Sequence, residues 1–187
     1  MRGEATAVQT WRLGRSDQYS VAVRGIAGLG YAYGNSLSLP FEKFFYAGGS
    51  SSMRGWQARS VGPGSGAIDS TFSIVNQTGD MHLEANAEFR FPLFWKLQGG
   101  LFVDIGNIWK IKAEDEEAQE TVFHFRDFYK TTALDFGFGL RLDFNLILVR
   151  LDLGIKAYDP YTQKWCEPSR WFARNGYAIH FGIGYPF

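Results

Sequence analysis

The chain has 187 residues, enough for one domain, and a formal net charge of zero, which removes any electrostatic case for a nucleic-acid partner. A single cysteine, Cys166, excludes an intrachain disulfide framework. No run approaches the roughly 18 to 20 apolar residues of a membrane helix, whereas strands that cross a membrane would give a far weaker alternating signal.

Strand-like alternation begins near the N-terminus. Residues 5–13 predict the tail of a strand, and residues 14–18 a polar turn. From 19 to 34, apolar residues of one parity recur over a length beyond the usual soluble strand. These residues are Val21, Val23, Ala27, Leu29, Tyr31 and Tyr33. A long loop, about residues 35–80, follows.

The remaining chain repeats this pattern with one apolar and one polar face. Strands are predicted over residues 82–91, 97–109, 131–143, 147–156 and 177–187. In the strand over residues 82–91, the odd-numbered residues are all apolar, while the even-numbered residues include the charged Glu84, Glu88 and Arg90. The last strand is predicted to keep its alternation to the terminal aromatic residue.

Connections alternate between short and long, which places the short turns at one edge of an antiparallel sheet and the long loops at the other. Transmembrane barrels show this asymmetry, and rings near the strand ends favour lipid over a packed core. Six strands and part of a seventh are too few for a closed barrel, because unpaired edges are costly in hydrocarbon. The fold class predicted is all-β: residues 1–187 form the C-terminal part of an antiparallel transmembrane β-barrel, whose N-terminal strands lie outside this sequence.

The long loop contains a segment that is poor in both strand and helix formers. It holds Gly48, Gly49, three serines, Arg54, Gly55 and Trp56, hemmed in by aromatic residues. Glycines permit close backbone approach, and the arginine fork suits carboxylates held opposite it. We expect this loop to fold inward.

Enzymatic functions find little support. His82, His124, His180 and Cys166 have no metal-ligand spacing, so no metal site is predicted. No Gly-x-Ser-x-Gly elbow and no dinucleotide-binding loop occurs. We therefore expect a protein without enzymatic activity and without a cofactor.

Several motifs, taken in order, resemble those of the BamA/TamA-type outer-membrane assembly proteins, the bacterial surface antigen family. The resemblance extends from about Tyr19 to Phe187. It rests on Gly48-Gly49, Arg54-Gly55-Trp56, Gly62-Pro63, Glu88-Phe89, the Phe102-x-Asp104-x-Gly106 strand motif, and a terminal insertion signal of His180, Gly182, Tyr185 and Phe187. Met53 stands where the family usually has valine. The Tyr158-Asp159-Pro160 step is similar to TamA-like members from Bacteroidetes.

The resemblance implies that Arg54 reaches into the barrel lumen and meets carboxylates on the two following strands. The alternation independently places Glu88 and Asp104 on the polar face of adjacent strands. We therefore expect Arg54 to pair with Asp104 and Glu88, with Phe102 beside it. In the alternative, these carboxylates are solvated lumen charges paired with Arg24, Arg90, Arg141 or Arg150.

The resemblance also implies a function without covalent chemistry. The protein is expected to be integral to the bacterial outer membrane and to assemble, insert or translocate outer-membrane proteins by templating their strands at a lateral seam. Its partners would be the lipid bilayer, unfolded outer-membrane protein clients, accessory assembly subunits and the N-terminal barrel strands that this sequence lacks, along with the family's POTRA repeats. A passive outer-membrane channel and a two-partner-secretion-type transporter barrel stay open as alternatives.

Overall fold

The computed structural model describes residues 1–14, 18–34, 39–66, 77–112, 116–144 and 146–187, without the side chains of 116–118. The described residues form one antiparallel sheet of eight strands. The strands are β1 (Arg2–Leu13), β2 (Tyr19–Gly30), β3 (Met81–Phe94), β4 (Leu97–Trp109), β5 (Ala133–Asp143), β6 (Leu148–Asp159), β7 (Lys164–Trp165) and β8 (Tyr177–Ile183). Short 3-10 helices span Phe41–Lys43, Glu116–Thr121, Phe128–Lys130 and Pro168–Arg170. None of the helices in these ranges has the length and apolar character needed to cross a membrane.

Strands adjacent in sequence are adjacent in the sheet from β1 to β6. The two-residue β7 pairs with the end of β6, and β8 pairs with the rest of β6 over seven positions, from Ile155↔Tyr177 to Val149↔Ile183. Among the described residues β1 and β8 do not pair with each other, so the sheet is open. The all-β antiparallel architecture predicted from the alternation is confirmed.

The two faces of the sheet differ as the alternation predicts. On β4, Leu101, Val103 and Ile105 are exposed, whereas Phe102 and Asp104 are buried. The apolar face points outward, and the polar face is covered by the long connection between β2 and β3. A soluble protein would bury the apolar face of such a sheet and expose the polar one. Here the apolar face is exposed, which suits contact with lipid.

Several strand boundaries differ from those predicted: for example, β2 ends at Gly30 rather than at residue 34, and β6 continues to Asp159 rather than ending at residue 156. The first strand begins at Arg2 and pairs with β2 over its full length. The strand β3 continues through Pro92, with a shift of register between Pro92 and Phe94, because a bulge accommodates the missing N–H. The last strand ends at Ile183 rather than at Phe187.

The early end of β8 has a local cause. Gly184 adopts a positive φ of 83° and turns the chain out of the sheet. Pro186 then has no N–H to offer a neighbouring strand. The final residues Tyr185–Phe187 therefore form a tail outside the strand, which contacts Arg24 and Arg90 on the polar face.

The β2–β3 connection folds over the polar face, as expected. Ala47 and Val61 form an isolated antiparallel bridge, which closes residues 47–61 into a compact excursion. Its apolar side chains contribute to a small buried core with residues of β4 and β5. That core consists of Phe45, Ala47, Met53, Trp56, Val61, Ile108 and Ala133.

Candidate functional site

The excursion reverses direction at its glycine pair. Gly48 and Gly49 have φ values of 103° and 109°, which side chains other than glycine rarely adopt. The Gly49 N–H donates to the carbonyl of Met53 over 3.2 Å. Ser52 Oγ accepts from the Gly48 N–H at 3.1 Å and donates to Glu84 Oε2 on β3 at 2.5 Å. This tight turn places Arg54 against the polar face of β3 and β4.

Arg54 is completely buried and bonds to both carboxylates that the motifs single out. Its Nε and Nη2 donate to the two oxygens of Asp104 at 2.8 Å each, a bidentate pair. Its backbone N–H donates to Asp104 Oδ2 at 3.1 Å, and its Nη1 donates to Glu88 Oε2 at 2.5 Å. The guanidinium carbon lies 3.6 Å from the centre of the Phe102 ring.

Glu88 is shared among three arginines. Besides Arg54, it accepts from Arg90 Nε at 2.7 Å and from Arg141 Nη2 at 2.8 Å. Glu88 thus contacts Arg54 together with two of the arginines named in the alternative, but it is 1% exposed and is not a solvated charge. Asp104 accepts hydrogen bonds from Arg54 and, at 3.0 Å, from the side-chain amide of Asn86. The three buried charges Arg54, Glu88 and Asp104 are tolerated because each is paired and hydrogen-bonded.

A third carboxylate, Asp135 on β5, lies next to this cluster. It pairs in register with Asp104 and is completely buried. Gly55 packs directly on it, since a Cβ at position 55 would lie 2.5 Å from the Asp135 Cβ. Neither Asp135 oxygen has a hydrogen-bond partner among the described residues. Asp135 thus makes glycine necessary beside Arg54.

Side chains from several strands hold the backbone of the excursion. Arg24 on β2 donates to the carbonyl of Ser51 at 2.8 Å. Arg150 on β6 donates to the carbonyl of Ser50 at 2.7 Å. Tyr161, in the β6–β7 connection, donates to the carbonyl of Ser60 at 2.6 Å. Side chains from β2, β6 and the β6–β7 connection therefore all bind backbone carbonyls of the excursion.

The four residues of the terminal motif divide into two groups. His180 and Gly182 lie on β8 and face the polar side, where Gly182 leaves room for Arg150. Tyr185 and Phe187 belong to the tail: the Arg90 guanidinium stacks 4.2 Å from the Tyr185 ring and donates to the Phe187 carbonyl at 3.2 Å. The structure does not bring these four side chains together as one surface.

Sequence reasoning missed how Asp135, Gly154, Arg150 and His180 contact the loop. The signal that could have found them is their position on the polar parity of β5, β6 and β8. In the ranges that the structure covers, no group of three or more His, Cys, Asp or Glu side chains is arranged to hold a metal ion. The site is chemically suited to fixing a loop in place.

The comparisons with known proteins agree with this architecture. Residues 2–187 match the Omp85 superfamily domain. Over 119 residues the chain is 29% identical to the outer membrane protein assembly factor BamA of Neisseria meningitidis, covering 61% of this chain and 15% of that protein. A crystal structure of BamA from Haemophilus ducreyi lacking POTRA domains 1–3 superimposes with a TM-score of 0.63 at 20% identity, covering 97% of this chain and 34% of that one.

The chain thus spans a minor part of the length of both relatives, while the family match takes in nearly all of it. The inverted sheet, with its apolar face outward, suits an integral outer-membrane protein. The chain belongs to the Omp85 superfamily and is an integral protein of the outer membrane.

Proposed function

We propose that residues 1–187 are the C-terminal portion of a larger barrel that assembles and inserts outer-membrane proteins. The two open edges of the sheet support this assignment, because unpaired backbone groups are costly in a bilayer. Further strands supplied from the N-terminal side would pair with β1. The action is strand templating at a lateral seam beside β8, without covalent chemistry.

The observation that carries the proposal is the short edge of β8. This strand pairs with β6 over seven residues, whereas β1 and β2 pair over twelve. A seam made with so short a strand has few hydrogen bonds to break, and an open edge is a template for an incoming strand. Unfolded clients would pair there as they enter the bilayer.

The register supports a specific choice of the backbone groups proposed to template a client strand. Gly184 N–H donates to the carbonyl of Leu148, so even-numbered β8 residues bond to β6. The N–H groups of Ile179, Phe181 and Ile183 consequently point to the free edge. These three donors are the proposed pairing groups for a client strand.

The buried loop supports assembly over passive diffusion. Arg54 and its carboxylate partners hold the excursion against the inner wall over β3 and β4. A passive channel gains nothing from such a plug, since its lumen must stay open to solutes. Accessory assembly subunits would act from outside this region.

The test is client folding in lipid vesicles containing the protein. A urea-unfolded outer-membrane porin is added, and its protease-resistant fraction is followed over time. We expect faster client folding than in empty vesicles. Phe181→Pro, which removes a free-edge N–H, should abolish most of the gain, whereas Phe181→Ala keeps that N–H and should retain it.

Three outcomes contradict the proposal. Client folding equal to that in empty vesicles removes the assembly function. Steady ion conductance through the wild-type protein, without any effect on client folding, would favour the passive channel instead. A secretion-type transporter would move a soluble client across the vesicle membrane without inserting it.

A further inference from the structure

The terminal strand has a second attachment besides β6. His180, near the middle of β8, points to the polar side, and its Nε2 lies 3.0 Å from the carbonyl oxygen of Trp56. Because a carbonyl only accepts, the ring nitrogen is the donor. The bond joins the loop motif Arg54-Gly55-Trp56 to the strand proposed to form the seam.

Small residues permit this contact. Gly154 on β6 pairs in register with Ala178 on β8. A Cβ at position 154 would overlap the carbonyl of Arg54 and the nitrogen of Gly55. The loop backbone therefore lies directly on β6, one strand from the edge, where the His180 ring reaches it.

The other side of the same three-residue segment is fixed to different strands. Arg54 is bonded to Asp104 on β4 and Glu88 on β3. Trp56 is 1% exposed and packed in the small apolar core. The segment Arg54–Trp56 thus spans the polar face from β3 and β4 to β8.

This bridge matters because β8 is otherwise weakly held. It has one long neighbour in the described sheet and the fewest paired residues of the long strands. A hydrogen bond to the carbonyl of the buried Trp56 adds a tether perpendicular to the sheet. Displacing the loop removes that tether.

We propose that His180 is a positioning residue that couples the Arg54 loop to the pairing of β8. With the loop seated, β8 is held against β6; with the loop released, β8 opens more easily. The inference rests on the proposed function for its consequence, control of the seam by the loop. Coupling of this kind is reciprocal, so loosening β8 also loosens the loop.

Hydrogen exchange of backbone amides tests the coupling in the protein folded into lipid vesicles. His180→Phe keeps a ring but removes the donor, and exchange over residues 177–183 should become roughly threefold to tenfold faster, the range expected for one hydrogen bond. His180→Gln retains a donor and should restore near wild-type exchange. Exchange over residues 50–56 should rise in His180→Phe as well.

The decisive variant does not touch β8. Asp104→Asn weakens the seat of Arg54 on β4 and should accelerate exchange in residues 177–183, although β5 and β6 lie between. The double variant Asp104→Asn with His180→Phe should exchange no faster than the more affected single variant. Tyr161→Phe is the matched control: it removes a loop hydrogen bond at Ser60, outside the bridging segment, and should leave β8 unchanged.

Unchanged β8 exchange in Asp104→Asn overturns the coupling, whether or not His180→Phe folds. Additive effects in the double variant overturn it too, because they indicate independent contacts. The client-folding assay is a separate readout. Coupled exchange without client folding refutes the assembly function and leaves the coupling standing, whereas client folding without coupled exchange does the reverse.

Discussion

At the scale of single residues, Arg54 carries the largest concentration of buried contacts. Truncation to alanine leaves Asp104 with two donors in the described structure, the Asn86 amide and the backbone N–H of residue 54, while Glu88 keeps Arg90 and Arg141. Removing one partner of a buried pair costs about 3–5 kcal/mol, and less in a hydrated lumen. We expect Arg54→Ala to retain its strands but to unfold at lower urea concentration and to lose protection over residues 50–56.

The conservative variant distinguishes charge from geometry. Arg54→Lys keeps the charge but loses the bidentate fork on Asp104, so its stability should fall between those of Arg54→Ala and the wild type. Circular dichroism monitors strand content, and urea titration in vesicles measures stability. A lysine variant as stable as the wild type would mean that charge alone seats the loop.

Cys166 gives a prediction about reactivity in the connection that precedes β8. Burial raises the pKa of its thiol, and the nearby Asp159 carboxylate raises it further. A raised pKa leaves less thiolate at any pH below it, so alkylation should be slow at neutral pH. Asp159→Asn should shift the rate profile to lower pH, while keeping an acceptor for the Tyr161 N–H.

The control for Cys166 is another carboxylate in an extramembrane connection. Asp127 pairs with Lys130 in the β4–β5 connection and is absent from the groups that influence the thiol. Asp127→Asn should therefore leave the alkylation profile of Cys166 unchanged. Iodoacetamide labelling followed by mass spectrometry measures both rates, and equal shifts in the two variants would contradict the assignment to Asp159.

At the scale of elements, the close approach between the loop and β6 depends on Gly154. Gly154→Ala places a methyl group into the Arg54 carbonyl, and overpacking of this kind costs about 1–3 kcal/mol. We expect the loop to be displaced, with faster exchange over residues 50–56, while the sheet is retained. Gly25→Ala is the matched control, because nothing lies within 4 Å of a Cβ at that outward position of β2.

The strands also show how much of the fold can be predicted from the sequence. Alternation predicts β4 to the residue, and it predicts the buried parity that brings Glu88 and Asp104 to one face. It misses the bulge at Pro92 and the turn at Gly184, because both are local departures from period two. The contacts of Asp135, Gly154 and His180 with the loop were missed, because the polar parity gives the face on which these residues lie but does not give the path of the long excursion that meets them.

At the scale of the whole molecule, the orientation of the apolar face makes a prediction that separates lipid from a packed core. Val103 is exposed near the middle of β4, and Leu13 is exposed at the turn end of β1. Lysine on a lipid-facing strand costs about 2–4 kcal/mol at the bilayer midplane and about 0–1 near the interface. Val103→Lys should therefore lower the free energy of unfolding in vesicles far more than Leu13→Lys does.

The contrast between these two positions is informative because both side chains are exposed to a similar extent. If the apolar face met water or another protein instead of lipid, depth along the strand would have no bearing on the cost. Equal losses from Val103→Lys and Leu13→Lys, measured by urea titration in the same vesicles, would contradict the lipid-facing orientation. A depth-dependent loss places the polar face, with Arg54 and its partners, on the inside of the wall.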